Sequence, residues 1–352
     1  MSRPPSEVRE RPAAAPARAG VPRWARLAAI GVAVVVLAAI GLRGRLPDPR
    51  EFLAALAGAD HGWIALAAAL QVVSLAAFAF QQQHLLANLG VRLRVRRIMA
   101  ITLARSALSI SLPAGAAVST AYAIREYQKA GVSRRVGAAS AVVSGLASIG
   151  GLTLLYVAGG AGVVARDPGT YLSWRPLVVV AAIAALTTAG IALGRRHAVR
   201  PERASVGAGP LRKSRAGRRV ARLLSSARGA WRAGAGLRVR DWAVALLYAA
   251  VNWLTDLLCL AAAARALGLP VGVTTLAGIY LGVQIVRQVP LTPGGVGVVE
   301  TALVAGLTAT GATAISAAAA VLVYRLLSCW LIIPAGGAAA LALRRATTVP
   351  VR

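Results

Sequence analysis

Apolar residues in this chain run unbroken over long stretches, instead of alternating as in a half-buried strand or recurring at three and four as on a surface helix. The runs are Leu27–Leu42, Trp63–Leu86, Met99–Ile124, Val136–Val164, Trp174–Leu193, Trp242–Leu267, Val273–Leu307 and Ala312–Leu343. A helix needs roughly 20 apolar residues to cross a bilayer, and most of these runs are of that order. Trp63, Trp174 and Trp242 open their runs, where an amphipathic ring suits the headgroup level. Leu27–Leu42 has the size of a signal-peptide core, but Arg43-Gly44-Arg45 follows it rather than a small-residue cleavage site. It is expected to remain as the first span.

Two runs are interrupted. Met99–Ile124 contains Ser111-Leu112-Pro113-Ala114-Gly115, and Val273–Leu307 contains Pro290-Leu291-Thr292-Pro293-Gly294-Gly295-Val296-Gly297. Proline withdraws a backbone donor and crowds the preceding turn, and glycine admits the backbone angles that end a helix. Each run therefore falls into two pieces that are marginal or too short to cross, so a re-entrant hairpin competes with one kinked crossing. Charge decides between them. With a cytoplasmic N-terminus, Arg92, Arg94, Arg96 and Arg97 lie inside after the second run. Arg125, Lys129, Arg134 and Arg135 follow the Pro113 break, and they stay inside only if Met99–Ile124 dips and returns. The same logic carries the second broken run in from outside and leaves Arg344, Arg345 and Arg352 inside.

The expected architecture is thus an all-α polytopic membrane protein of six transmembrane helices and two opposed re-entrant hairpins. Residues 1–23 form a disordered basic cytoplasmic tail, and 24–194 the first transmembrane half, with its hairpin at 99–124. A basic cytoplasmic loop at 195–240 leads to the second half at 241–345, with its hairpin at 273–307, and 346–352 form the tail. Within the loop, Arg218–Arg232 places Val220, Leu223, Leu224, Ala227 and Trp231 on one helical face. It reads either as an interfacial helix on anionic lipid or as a disordered topology-setting loop.

Composition narrows the function. Forty Lys+Arg against 11 Asp+Glu give a net charge of +29, yet only 14% of residues are charged and 57% are hydrophobic. This excludes a soluble enzyme, a disulfide scaffold and a disordered chain. Nucleic acid is not an expected partner, because the basic residues sit in loops, where they set topology. Cys259 and Cys329 lie inside apolar runs as small hydrophobes, and His61, His84 and His197 are scattered. No metal or cofactor has a ligand set.

The two breaks belong to an internal repeat. Pro113 and Pro293 are 293 − 113 = 180 positions apart, and at that offset Gly115 meets Gly295, Val118 meets Val298, Gly131 meets Gly311 and Ser148 meets Ser328. By the charge argument the units Trp63–Leu155 and Trp242–Leu343 begin on opposite sides, which makes them inverted-topology repeats. In transporters of that plan, discontinuous helices meet near the midplane and form the site.

Candidate chemistry follows from the ionisable residues at membrane depth, which cost at least about 2.5–3.5 kcal/mol each unless a cavity or partner receives them. Arg105, Arg287, Glu300 and Arg325 lie within or beside the hairpins. Glu300 suits the positive end of the outgoing half-helix, and Arg325 is its expected counter-ion. The pair reads either as part of a polar path for a moving headgroup or as a buried structural ion pair. Asp256 is a third candidate, with Arg265 or Arg287 as its expected partner. The amides of Gly294, Gly295 and Gly297 would receive a lipid phosphate. No nucleotide site is expected, since neither a preceding strand nor a GK[ST] sequence is present.

Pro290-Leu-Thr-Pro-Gly-Gly-Val-Gly-Val-Val-Glu300, with Gly311 and Tyr324-Arg325-Leu326, resembles the transmembrane, flippase-like domain of the lysylphosphatidylglycerol synthase family. Ser111-Leu-Pro-Ala-Gly115 with Arg125 is similar to its upstream motif. The resemblance covers essentially everything after the N-terminal tail. It implies a lipid-translocating membrane protein of the plasma membrane, with membrane phospholipids as partners and with Pro113, Gly115, Thr292 and Pro293 among the substrate-path residues. The chain ends at Arg352, so the soluble aminoacyl-transferase domain is expected to be absent and synthase activity is not carried over. Thr120 stands opposite Glu300 in the repeat, which departs from a symmetric charge mechanism. Two other classes compete. One is an integral-membrane lipid transferase, for which the paired acids or His/Asp cluster are missing. The other is a non-catalytic membrane partner of a separate lipid-modifying enzyme, docked through the basic loop.

Overall fold

A computed structural model describes residues 49–112, 114–166, 236–287 and 292–348. In chain order the helices are α1 (Pro49–Ala57), α2 (His61–Asn88), α3 (Val95–Ser111), α4 (Gly115–Lys129), α5 (Arg134–Arg166), α6 (Val239–Ala266) and α7 (Val273–Arg287). A 3₁₀ turn (Pro293–Gly295) leads to α8 (Val298–Thr308) and α9 (Ala314–Arg325), and a π turn (Leu326–Trp330) leads to α10 (Ile332–Thr348). No strand occurs among the described residues. Four stretches there are long and apolar enough to cross a membrane: His61–Asn88, Arg134–Gly159, Val239–Ala266 and Ala314–Arg345. The expected spans Leu27–Leu42 and Trp174–Leu193, the tail Met1–Arg23 and the amphipathic stretch Arg218–Arg232 lie outside the described residues.

Local chemistry sets the ends. Asp60 caps α2 by accepting from Gly62 N (2.7 Å) and Trp63 N (3.3 Å), which satisfies donors the first turn cannot use. Thr313 does the same for α9 through Ser316 N. The final run would be one straight helix but for Pro334, which has no N–H to give the turn before it. The chain widens just upstream into the π turn, where Leu331 N reaches back to Leu326 O.

Packing is reversed relative to a water-soluble bundle. Large apolar side chains such as Val72, Leu247, Ile285 and Trp330 face outward, each more than half exposed. Such a surface is a liability in water and an asset in hydrocarbon. Small residues fill the interior: Ala67, Ala245, Ala249 and Ala263 are buried between α2, α6 and their neighbours. A Cβ on Gly151 of α5 would lie 2.8 Å from the Ala249 backbone, so α5 and α6 touch main chain to main chain. Neutral polar groups bridge these helices. Gln81 Nε2 donates to Ala245 O (2.8 Å), Ser74 Oγ to Asn252 O (3.0 Å), and Ser144 Oγ of α5 to Gln81 Oε1 (2.9 Å). Gln82 also donates to Ser144.

The 180-residue offset reappears in the backbone. Ala114 and Gly294 are both left-handed (φ 54° and 62°), as are Gly131 and Gly311 (φ 84° and 92°). The packing pairs correspond as well: α3 with α4 and α7 with α8, α4 with α5 and α8 with α9, α3 with α10 and α7 with α5. Helices α2 and α6, the first of each unit, pack on each other. The first broken run is longer than its apolar stretch suggests. Its two helices span Val95 to Lys129 rather than Met99 to Ile124, with Arg96 and Arg125 exposed in the added turns.

Candidate functional site

The second break is built by its own sequence. After α7, Gly294 adopts φ 62°, ψ 8°, a conformation that costs an ordinary L-residue about 1–2 kcal/mol. Space demands glycine here as firmly as angle does, since a Cβ at this position would come 2.6 Å from Ile110 O, near the end of α3. The loop of the second broken run therefore rests on the main chain of the first. Ile110 also packs with Cys329 of the π turn and Ile332 of α10. Four parts of the chain converge: the end of α3, the glycine turn, the π turn and the start of α10.

Glu300 and Arg325 fasten this turn. Arg325 Nε donates to Glu300 Oε1 at 2.6 Å, and Arg325 Nη2 approaches Gly294 O at 3.4 Å. Gly297 N donates to the other carboxylate oxygen, Glu300 Oε2, at 2.7 Å. The ion pair anticipated from sequence is present, and it grips the loop at both ends. Arg325 is almost wholly buried (side chain 4% exposed), whereas Glu300 keeps 27%. Inside the turn, Gly295 N donates to Thr292 O at 3.1 Å. Two of the amides expected to receive phosphate are thus engaged within the loop.

Arg287 differs. It ends α7, is exposed, and its Cγ would lie 3.9 Å from a Cβ on Gly295. It has no ion-pair partner among the described residues. Thr292 and Gly297 beside it are exposed too. An exposed guanidinium with no ion-pair partner among the described residues and an exposed threonine therefore lie at the turn, a pair suited to an anionic oxygen.

The first break is not equivalent. Gly115 closes it tightly, because a Cβ there would lie 2.1 Å from Ser109 O. Thr120, opposite Glu300, spends its hydroxyl on Ala116 O (2.8 Å). Arg105 lies over the Phe78 ring at 4.9 Å and faces Tyr127, so it joins α2 and α4 rather than the glycine turn. Arg125 is exposed on α4. Pro113 and Pro290 lie outside the described residues, and for Pro293 only the backbone turn is described.

Asp256 was expected to pair with Arg265 or Arg287. It accepts instead from Tyr280 Oη (2.7 Å) and Tyr324 Oη (3.0 Å), both on its Oδ2. Arg265 is nine residues along the same helix, about 13 Å away by rise. Sequence reasoning names Tyr324 only as part of the family motif and misses Tyr280, because a lone Tyr in an apolar run gives no sign of which helix its hydroxyl meets. Among the described residues no group of His, Cys, Asp and Glu is arranged to hold a metal.

The family model described as lysylphosphatidylglycerol synthase TM region matches residues 25–336, nearly the whole chain. No curated protein matches it.

Proposed function

This chain belongs to the lysylphosphatidylglycerol synthase transmembrane-region family, and from that premise we propose that it moves a polar-headgroup phospholipid, aminoacylated or not, between membrane leaflets. Its long apolar helices and its family make it an integral membrane protein in contact with membrane lipids. In the proposal the two broken runs are re-entrant hairpins from opposite faces, both termini are cytoplasmic, and the membrane is the plasma membrane. The observation that carries the reading is the turn at Thr292–Gly297, seated on Ile110 with Arg287 exposed beside it. Non-helical backbone at membrane depth is stable only against protein or water, and a cationic group there needs a counter-charge that a passing phosphate supplies. In this reading Arg287 and Thr292 contact the headgroup, while Glu300 and Arg325 hold the turn in shape. Acyl chains remain in hydrocarbon throughout.

The test is reconstitution into liposomes that carry a trace of headgroup-labelled anionic phospholipid, with an impermeant quencher outside. Wild-type protein is expected to speed exchange between leaflets. Arg287→Gln is expected to slow it about tenfold, the worth of one charge-assisted contact of about 1.4 kcal/mol. No acceleration with anionic, zwitterionic or aminoacylated lipid would overturn the proposal.

A further inference from the structure

The amides that tie helices together in this protein are engaged at both ends. Gln81 and Gln82 each donate through Nε2 and accept a serine hydroxyl on Oε1. Gln71 and Gln284 behave otherwise. Both are buried, 7% and 3% exposed, and the side-chain oxygen of each has no hydrogen-bond partner among the described residues. The Ser328 hydroxyl of the π turn is buried and unpartnered in the same way. Such groups are rare in folded proteins, because each gives up water with nothing in exchange. The remaining ones, on Arg97, Thr102, Glu126 and Tyr127, all lie on the first broken run, in α3 and α4.

The topology brings Gln71, Gln284 and Ser328 to one level. Asp60 N donates to Ala266 O, so α2 starts where α6 ends, and α7 begins a short connection later at Val273. α9 packs on α1, the helix that leads into α2. At 1.5 Å per residue, Gln71 lies about 15 Å into α2, Gln284 about 16 Å into α7, and Ser328 about 21 Å beyond the start of α9. Their neighbours coincide as well. Gln71 lies between Ala67 and Leu75 on one stripe of α2; Ala67 packs in the cluster that holds Tyr280 and Tyr324, and Leu75 packs with Cys329. Gln284 is one helical turn past Tyr280 and Ser328 one turn past Tyr324, and those two tyrosines meet on Asp256 Oδ2.

The fold itself does not ask for amides here. At the 180-residue offset Ala104 stands for Gln284 and Val251 for Gln71, both apolar, and Ala104 is buried. What does border these oxygens is Arg287. It is three residues past Gln284, on the same side of α7 and about 4.5 Å farther along.

We propose that Gln284, with Gln71 and Ser328, forms a subsite that selects lipids whose headgroup carries O–H or N–H donors beyond the phosphate, an inference that rests on the transport reading above. With the phosphate at Arg287, a two-carbon stem spans the one turn back to Gln284. A hydroxyl or ammonium at its end gives its hydrogens to the unpartnered oxygens and recovers there what it loses from water. A headgroup without such hydrogens leaves the oxygens unmet and loses its own hydration with no return. The three groups are neutral, so they sort headgroups by donors and leave the binding of charge to Arg287.

The experiment keeps the headgroups native. Lipids carry their label on a short acyl chain and are withdrawn by albumin from the outer leaflet of the same liposomes. Two pairs match in charge and differ in donors. Phosphatidylglycerol and phosphatidylmethanol are both anionic, and only the first has hydroxyls. Phosphatidylethanolamine and phosphatidylcholine are both zwitterionic, and only the first has N–H. Wild type is expected to exchange the donor-bearing member about tenfold faster or more in one pair or both, and the pair that responds tells hydroxyl from ammonium. Gln284→Leu is expected to bring that ratio close to one by slowing the donor-bearing lipid alone, and Gln71→Leu to lower it. Equal rates within both pairs in wild type overturn the inference and leave transport standing, whether or not a leucine variant folds. A ratio that survives both substitutions does the same, as does a loss that falls on all four lipids alike, the mark of a purely structural amide. Absence of exchange with all four lipids overturns transport itself.

Discussion

The Glu300–Arg325 pair offers a sharp test of what fastens the glycine turn. Glutamine at position 300 has one oxygen and one amide nitrogen, so it accepts from Gly297 N or from Arg325 Nε but not from both. The guanidinium, 4% exposed, is left charged and short of a partner. Stranding a buried charge in this way costs about 3–5 kcal/mol. Arg325→Met removes the buried charge instead. Glu300 then keeps its bond from Gly297 N and its 27% exposure, so the loss is about 1–2 kcal/mol. The double variant strands no charge and should cost little more than Arg325→Met alone, a coupling of about 2 kcal/mol or more. Equilibrium unfolding of the purified proteins in mixed micelles, followed by circular dichroism, measures all four. A larger loss from Arg325→Met than from Glu300→Gln, or a double variant that equals the sum of the singles, would refute the reasoning.

Four further outcomes are expected. Ala114 occupies a left-handed conformation that glycine adopts freely, so Ala114→Gly should stabilise by about 0.5–1 kcal/mol after the entropy of the freer unfolded chain. Gly294→Ala in the same titration should destabilise by more than 1–2 kcal/mol, since it adds a clash with Ile110 O to the strain. A Cβ on Gly336 would lie 2.5 Å from Leu103 O, so Gly336→Leu should separate α10 from α3 and cost at least about 1–3 kcal/mol, visible as lower yield and melting temperature. Cysteines placed at the exposed positions Gln128 and Thr310 should react with an impermeant thiol reagent from opposite faces of oriented vesicles, while buried Cys259 and Cys329 stay silent. Labelling of both from one face would remove the opposed hairpins.

Much of this arrangement was legible in the sequence, for reasons that differ by element. The helix breaks could be placed because proline and glycine act on the backbone locally, whatever surrounds them. Glu300 and Arg325 could be paired because few charges lie in the apolar runs, and an isolated acid there has a short list of partners. The left-handed Ala114 left no trace, since alanine favours the opposite conformation and only the tight turn against Ser109 holds it. Nor did the amide ladder of Gln81, Gln82 and Asn252, because neutral polar residues in a long apolar run show no period that tells a packed face from a lipid face. Asp256 was noticed but misassigned. Opposite charge was the only guide to a partner, and the hydroxyls that meet it come from helices whose packing alone brings them near.

Where Gly294 rests on Ile110, its main chain lies against the Ile110 carbonyl, with the Ile110 side-chain methyl alongside. A contact of that kind carries no charged or polar side chain and so reads little chemistry of its own. On the transport reading proposed above, discrimination among headgroups resides on the flanks of this contact, and exchanging flank residues such as Arg287 or Thr292 is expected to retune preference while the contact itself stays intact.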